Sequence, residues 1–480
     1  MGREFEAYFG IDFGTTSSAV VGINRLKDTA KIVKCGDEEG LPIPSTVAID
    51  KKTGEVFTGR DAWARQMELS ESCEYISSIK TILDSDTTWQ IGGREWNAVD
   101  IAAEIFKTLK DNVTGRNNVE FSHATVAIPI GFSPVKRTKL REAAQKAGII
   151  IDTMVSESTA AFFANYHSLK SATNVVVFDW GGGTLDISVL RHEKGRVSEL
   201  ATGGMEKAGD EIDRQIALRM HRKIARTKGK EIAFEDMPPM AQDVMRVRSE
   251  RAKRDLSDSD TVRFNINKYG EYGVCREILE YDWFRDIVEP FVTAAIDCLQ
   301  QTIAQSGLGA ANIDRILMVG GSSNLRPLQE EIEKIYGDKL YYPEETMWNV
   351  GEGAAMLARN PGGYYSNQQV TMLLSDNTPF ELLGTDVNLQ NWHKEYNFGI
   401  VDPDSSARFV FSGSPDIDSS LDKYRSIDLP LYKFLQEKVI VKALVDDNRV
   451  FRVLVRSSMR ADEFQRVWEY AGLKFYYKLK

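Results

Sequence analysis

A chain of 480 residues, 42% of them hydrophobic and 27% charged, has the composition of an ordinary water-soluble protein. That length exceeds what one core can organise and suggests roughly two to four domains. A net charge of −10 without any long Lys/Arg block excludes a dedicated nucleic-acid surface.

No apolar leader follows Met1, and no run of about 18 apolar residues occurs anywhere, so a cytoplasmic protein without a membrane partner is expected. The first element is a strand that ends in an acidic, glycine-rich turn, Phe9-Gly10-Ile11-Asp12-Phe13-Gly14-Thr15-Thr16. Alternating Ala19, Val21 and Ile23 continue it as a second strand. Ile101, Ile105 and Leu109 form the buried stripe of a helix over residues 99–113. Ser133, Pro134 and Gly148 supply an N-cap, a first-turn proline and a terminating glycine for the next helix. A third helix is expected over 157–167, and a second acidic turn follows, Val177-Phe178-Asp179-Trp180-Gly181-Gly182-Gly183-Thr184. Alternating Leu185, Ile187 and Val189 mark the strand after it. Helical periodicity returns over 211–227, 241–256 and 283–306, so up to about residue 360 the pattern is that of layered α/β domains.

Composition shifts at Pro361-Gly362-Gly363, ahead of the apolar segment Val370-Thr371-Met372-Leu373-Leu374. Little helical periodicity follows. Residues 438–445 and 449–456 read as a hairpin around Asp446-Asp447-Asn448, and a short helix is expected over 462–470. The expected division is a two-lobed domain over 1–362, a linker over 363–384 and a small β-rich domain over 385–480.

The two acidic turns carry the chemistry. Glycines such as Gly14, Gly181, Gly182 and Gly183 let backbone N–H groups approach a phosphate, and Thr15, Thr16 and Thr184 add hydroxyl donors. An aspartate beside them suits a hydrated Mg²⁺. Two matched turns imply a nucleotide gripped between duplicated halves. No Gly-x-x-x-x-Gly-Lys-Ser/Thr motif is present, so a Walker-type loop is excluded. Glu250, Lys253, Arg254 and Ser257 share one helix face, which fits either a solvated charged stripe or a pocket wall. Four cysteines (Cys35, Cys73, Cys275, Cys298) form no C-x-x-C pair, and five histidines (His123, His167, His192, His221, His393) are scattered singly, which disfavours a disulfide framework and a histidine metal site.

These motifs, with Ile128-Pro129, Glu157-Ser158-Thr159-Ala160-Ala161, Glu250 to Ser257, Val319-Gly320-Gly321-Ser322 and Gly353-Ala354-Ala355, occur in an order that resembles the 70-kDa heat-shock chaperones, a family with the actin-like ATPase fold. The resemblance implies ATP and ADP as ligands with Mg²⁺, and K⁺ as a candidate companion. It implies Asp12, Asp179 and Asp186 around the metal and the attacking water, Glu157 near that water, and Lys80 near the γ-phosphate. It also implies Thr15, Thr16 and Thr184 on the phosphates, and Glu250, Lys253, Arg254, Ser257, Gly320, Gly321 and Ser322 around the nucleoside. Leu373-Leu374-Ser375-Asp376-Asn377-Thr378-Pro379 is similar to the family's interdomain linker, and Pro129 and Arg137 match its relay pair.

The chain departs from the family at Asn324, where an arginine usually closes the adenine site, near Met347, where an acidic residue is missing, and at Ser158, which replaces a proline. Thr153 and Ser156 stand where an arginine and an asparagine help receive J-domain partners, which disfavours a standard J-domain partner. The region after the linker is short for the family's peptide-binding sandwich and helical lid. The implied activity is a slow ATPase switch that binds an unfolded polypeptide or a dedicated protein client, with a nucleotide-exchange factor as a further partner. The alternatives are an ATP-dependent, actin-like polymerising protein and a small-molecule kinase of the same superfold.

Overall fold

Each acidic turn is the bend of a β-hairpin at the centre of its own sheet. The computed structural model of the chain describes residues 7–24, 32–63, 72–117, 119–360, 363–399, 406–413, 425–431, 436–459 and 465–478. It divides into two compact units, one of Met1–His192 with Leu200–Arg359, the other of Glu193–Glu199 with Asn360–Lys480.

The first unit repeats one topology twice. One sheet runs in the order Ile150–Ser156, His123–Ile128, Ala7–Phe13, Ser17–Asn24 and Ile32–Cys35, with Ile43–Pro44 also on Ser17–Asn24. The other runs Leu340–Tyr341, Arg315–Val319, Asn174–Trp180, Leu185–Glu193 and Arg196–Met205. In both, the central strand lies parallel to the neighbour on one side and antiparallel to its hairpin partner on the other. Asp12 and Asp179 hold the same place, one residue before the strand ends. Asp12 faces Ala19 across its hairpin, and Asp179 faces Asp186. Both aspartates therefore sit at the carboxyl ends of parallel strands, where open α/β sheets bind ligands.

Helices cover the sheets as the apolar periodicity requires. Ala98–Asn117 buries Ile101, Ile105 and Leu109, and Phe106 beside them stacks on Phe13 at 4.7 Å. Pro134–Lys146 is capped by Ser133, whose hydroxyl accepts from the Lys136 N–H at 3.2 Å. Gly209–Lys228, Pro239–Asp258 and Tyr281–Gln305 each begin two residues before the expected helices and end one residue beyond, two residues beyond and one residue short of them, respectively. The helix expected over 157–167 stops at Ala164, because Asn165 turns its amide onto the Ala161 carbonyl and the Asn349 side chain. Among the described residues, other helices escaped the sequence reading. Arg326–Tyr336 buries Leu328, Ile332 and Tyr336 at four-residue intervals, whereas in Asn349–Arg359 the glycines Gly351 and Gly353 mask the helical pattern.

Those glycines have a packing role. Helix Asn349–Arg359 crosses helix Glu157–Ala164 with Gly353 against the Ala160 carbonyl, and a Cβ there would overlap that backbone. The same helix lies on the first sheet, where Gly10 meets the backbone of Gly351 and Ala355. At these points helix meets helix, and helix meets sheet, backbone to backbone.

The second unit is a β-sandwich. One sheet runs Pro379–Leu383, Val370–Leu373, Ser406–Ser412 and Arg425–Pro430, the other His393–Phe398, Val439–Val445, Phe451–Ser457 and Gln465–Tyr470. Inward residues of both sheets share one core, with Phe411 stacked on Trp468 at 5.0 Å. The expected hairpin forms, but its turn takes in Arg449 and Val450: the Asp446 N–H donates to the Val450 carbonyl at 3.0 Å, and Arg449 has φ 59°.

Two expectations are corrected here. Gln465–Tyr470 is a strand instead of a helix, since inward Trp468 and Tyr470 alternate with outward Val467 and Glu469; residues 462–464 lie outside the described residues. Residues 363–384 fold as strands Gly363–Ser366, Val370–Leu373 and Pro379–Leu383, because Val370, Met372, Leu382 and Leu383 enter the sandwich core. Asp376 and Asn377 are the bend between the last two strands; of the composition break, Pro361 and Gly362 lie outside the described residues.

Gly353→Ala forces the crossing helices apart and should cost about 1–3 kcal/mol, as overpacking does. A melting curve unchanged from wild type would show that the crossing is looser than described.

Candidate active site

The two acidic turns touch. A Cβ on Gly182 would overlap the Thr16 hydroxyl, and one on Gly183 would stand 2.6 Å from Thr15 Cγ2. Glycine is therefore required where the halves approach. Around the second turn, the Gly181 N–H donates to the Thr184 carbonyl at 3.0 Å and the Asp210 N–H to the Gly182 carbonyl at 2.8 Å. A third loop adjoins the turn: a Cβ on Gly320, which has φ 80°, would overlap the Trp180 carbonyl and stand 2.6 Å from the Asp179 carboxylate, and the Ser322 hydroxyl donates to the Gly181 carbonyl at 2.8 Å.

The acids converge behind these turns. Lys80 Nζ lies 2.5 Å from Glu157 Oε1, both side chains being largely buried. Lys80 comes from a turn, and Glu157 opens the helix Glu157–Ala164. Thr184 donates to Asp186 Oδ2 at 2.8 Å. Glu157, Asp179 and Asp186 line one small pocket together with Pro129, Ile130 and Ser188.

Burial and like charge govern the electrostatics. Burial raises the Asp179 carboxyl well above the usual range, helped by Glu157, Asp186 and Asp12. Burial also raises Asp12, against the pull of Lys80. Glu157 is pushed up to about 7 by burial, which Lys80 opposes and Asp12 and Asp186 reinforce. Burial alone would lower Lys80, but Glu157, Asp12 and Asp186 outweigh it and hold the ammonium charged. An excess of buried negative charge is what a cation would neutralise. Among the described residues no group of three or more His, Cys, Asp or Glu is close enough to hold a metal directly. A hydrated Mg²⁺, which keeps several of its waters, would suit acids that reach it through those waters.

On the nucleoside side, the helix Pro239–Asp258 presents the expected face unevenly. Lys253 is buried and donates to Asp213 Oδ2 at 2.7 Å and to the Gly209 carbonyl at 3.1 Å. Arg254 is exposed and pairs with Glu250. Ser257 donates back to the Lys253 carbonyl at 3.1 Å. Asn324 and Met347 are exposed, and Thr153 is too, whereas Ser156 caps the helix Glu157–Ala164. Arg137 Nε donates to the Phe132 carbonyl at 2.8 Å, and the Phe132 N–H to that of Pro129 at 3.1 Å, which joins the two relay positions.

Sequence reading missed Asp210 and Asp213. Asp210 approaches Gly182, and Asp213 anchors Lys253; burial raises Asp213 to about 7 against the Lys253 charge. The available signal was their i, i+3 spacing at the start of an amphipathic helix opened by Gly209.

A family model described as Hsp70 protein matches residues 83–397, about two thirds of the chain. Asp12 and Lys80 precede that span, while Glu157, Asp179, Asp186, the Glu250 to Ser257 face and Gly320 to Ser322 lie inside it. With a duplicated sheet, two opposed Gly-Thr turns and a match that covers the second turn and its nucleoside face, the chain belongs to the Hsp70 family and shares its actin-like ATPase fold and its general character as an ATP-binding chaperone.

Proposed function

We propose that the protein is an ATP-hydrolysing switch in which nucleotide state governs the binding of a polypeptide or dedicated protein client by the second unit. The observation that carries this reading is the buried Lys80–Glu157 pair among Asp12, Asp179 and Asp186, at the place where two glycine-threonine turns meet. Phosphoryl transfer needs positioning and charge neutralisation more than covalent help, and this arrangement supplies both.

Backbone N–H groups of the two turns, with Thr15, Thr16 and Thr184, hold the phosphates. Lys80 directs its charge to the γ-phosphate. Glu157, held near neutrality, orients the attacking water and accepts its proton. Asp12, Asp179 and Asp186 hold a hydrated Mg²⁺, which neutralises the phosphate oxygens when bound. Glu250, Lys253, Arg254, Ser257 and Gly320 to Ser322 receive the nucleoside, with Asn324 where the family's arginine would complete a stack. The Pro129, Phe132 and Arg137 connection supports a relay from the site. A nucleotide-exchange partner fits such a cycle; Thr153 and Ser156 disfavour a standard J-domain partner.

Asp179→Ala and Thr184→Ala should each lower phosphate release by at least about 100-fold. Wild-type turnover in both variants would remove the hydrolytic assignment.

The Glu157 carboxyl titrates near 7 and must be ionised to accept a proton, so the single-turnover rate should rise with pH through about 7. Glu157→Gln should abolish both the rate and that rise; a rate that is flat from pH 6 to 8 in wild type would contradict the role.

The stability effect has the opposite slope. Glu157 binds its proton more tightly folded than unfolded, so its contribution is full below about 4.5 and is lost as pH rises through about 7. Without nucleotide, wild type should lose more melting temperature between pH 5 and 8 than Glu157→Gln does.

A further inference from the structure

The hairpin that begins beside Asp186 ends within the second unit, which contains its tip, Glu193–Glu199. There Arg196, Val197 and Ser198 pair antiparallel with Lys478, Tyr477 and Tyr476 of the strand Phe475–Lys478. The other edge of that strand pairs with Gly363–Ser366. Backbone ladders thus hold the tip to both ends of the second unit's own chain.

Side chains fasten the same place. Arg196 Nη1 lies 3.2 Å from Asp386 Oδ1, with the guanidinium 4.9 Å from the Tyr476 ring, and the Tyr476 hydroxyl donates to the same oxygen at 2.9 Å. Tyr477 donates to the Asn360 carbonyl at 2.9 Å. Arg449 is half-buried, its guanidinium 3.5 Å from the Tyr364 ring centre and 4.9 Å from that of Phe475, with Tyr364 and Glu199 favouring its charge against burial. A guanidinium packed on rings from two strands, with an acid of the tip favouring its charge, is a costly arrangement unless all its members stay together.

The chain therefore passes between the units at residues 192–193 and 199–200 as well as at 359–360. At the hairpin's base the strand carries Asp186, which receives Thr184 and lies opposite Asp179. A flexible tether would need none of this. We propose that the clasp of Arg196–Ser198, Phe475–Lys478 and Arg449 is a coupling device: nucleotide state at the base of the hairpin sets how firmly the clasp closes, and closure in turn biases the site between ATP and ADP. This rests on the nucleotide reading above, and reciprocity follows from linkage.

The experiment uses the full-length protein. Arg196→Cys with Lys478→Cys places a pair at facing positions, whose Cα atoms in an antiparallel ladder lie about 4.5–5.5 Å apart, within the range of a disulfide at about 4.4–6.8 Å. Oxidation locks the clasp and reduction restores it. Arg196→Asp loosens it by setting like charge against Asp386. ATP and ADP affinities are measured for wild type, for the pair in both redox states and for Arg196→Asp. The ATP/ADP affinity ratio should move at least about 5-fold on oxidation, return on reduction, and move the opposite way in Arg196→Asp. A ratio unchanged on oxidation in a protein that binds both nucleotides overturns the coupling alone. Absence of nucleotide binding by wild type overturns the nucleotide reading and the coupling with it.

Discussion

Four carboxylates and one lysine converge where two sheets of the same design present the ends of their central strands, and the repulsion among those acids constrains everything around them. Glu157, Asp12, Asp179 and Asp186 outnumber the charge of Lys80, so the first unit is built with an unresolved electrostatic demand. A fold tolerates such a demand only where neighbouring elements are rigid enough to prevent relaxation. The duplicated hairpins supply that rigidity: the strand register fixes Asp12 and Asp179, and the close approach of Gly182 and Gly183 to Thr16 and Thr15 keeps the halves in contact. A cation would answer the same demand.

Much of this was legible in the sequence because it is local. Asp-Gly-Thr turns after apolar strands, serine caps and periodic stripes each report on a few neighbouring residues. The helix expected over 157–167 shows the limit: Asn165 ends it through Asn349, a partner far along the chain. The Lys80–Glu157 pair likewise joins a turn and a helix with no common pattern, and only the family resemblance brought them together. Lys253 was expected to face the nucleoside, yet its ammonium is held by Asp213 and Gly209, two residues that the helix's own charge pattern does not reveal.

The second unit was less legible for a different reason. Its β-rich character follows from composition, but Val370 to Leu374 has an apolar run that suits a linker and a buried strand equally. Burial of Val370 and Met372 in the sandwich decides for the strand. The closing segment 465–470 misled through its charges, since Arg466 and Glu469 suggest helical spacing while Trp468 and Tyr470 obey the two-residue period of a sheet. Pairing of residues 196–198 with 476–478 has no sequence cue at all, as nothing in either segment names the other.

The crossing of helices Glu157–Ala164 and Asn349–Arg359 has a mechanical meaning. Gly353 rests on the Ala160 carbonyl backbone to backbone, so the two helices cannot approach any closer at that point. Glu157 is the first residue of one of them, while Lys80 is carried by a turn outside both. The crossing is therefore a stop that fixes the acid of the Lys80–Glu157 pair, while its base is placed independently.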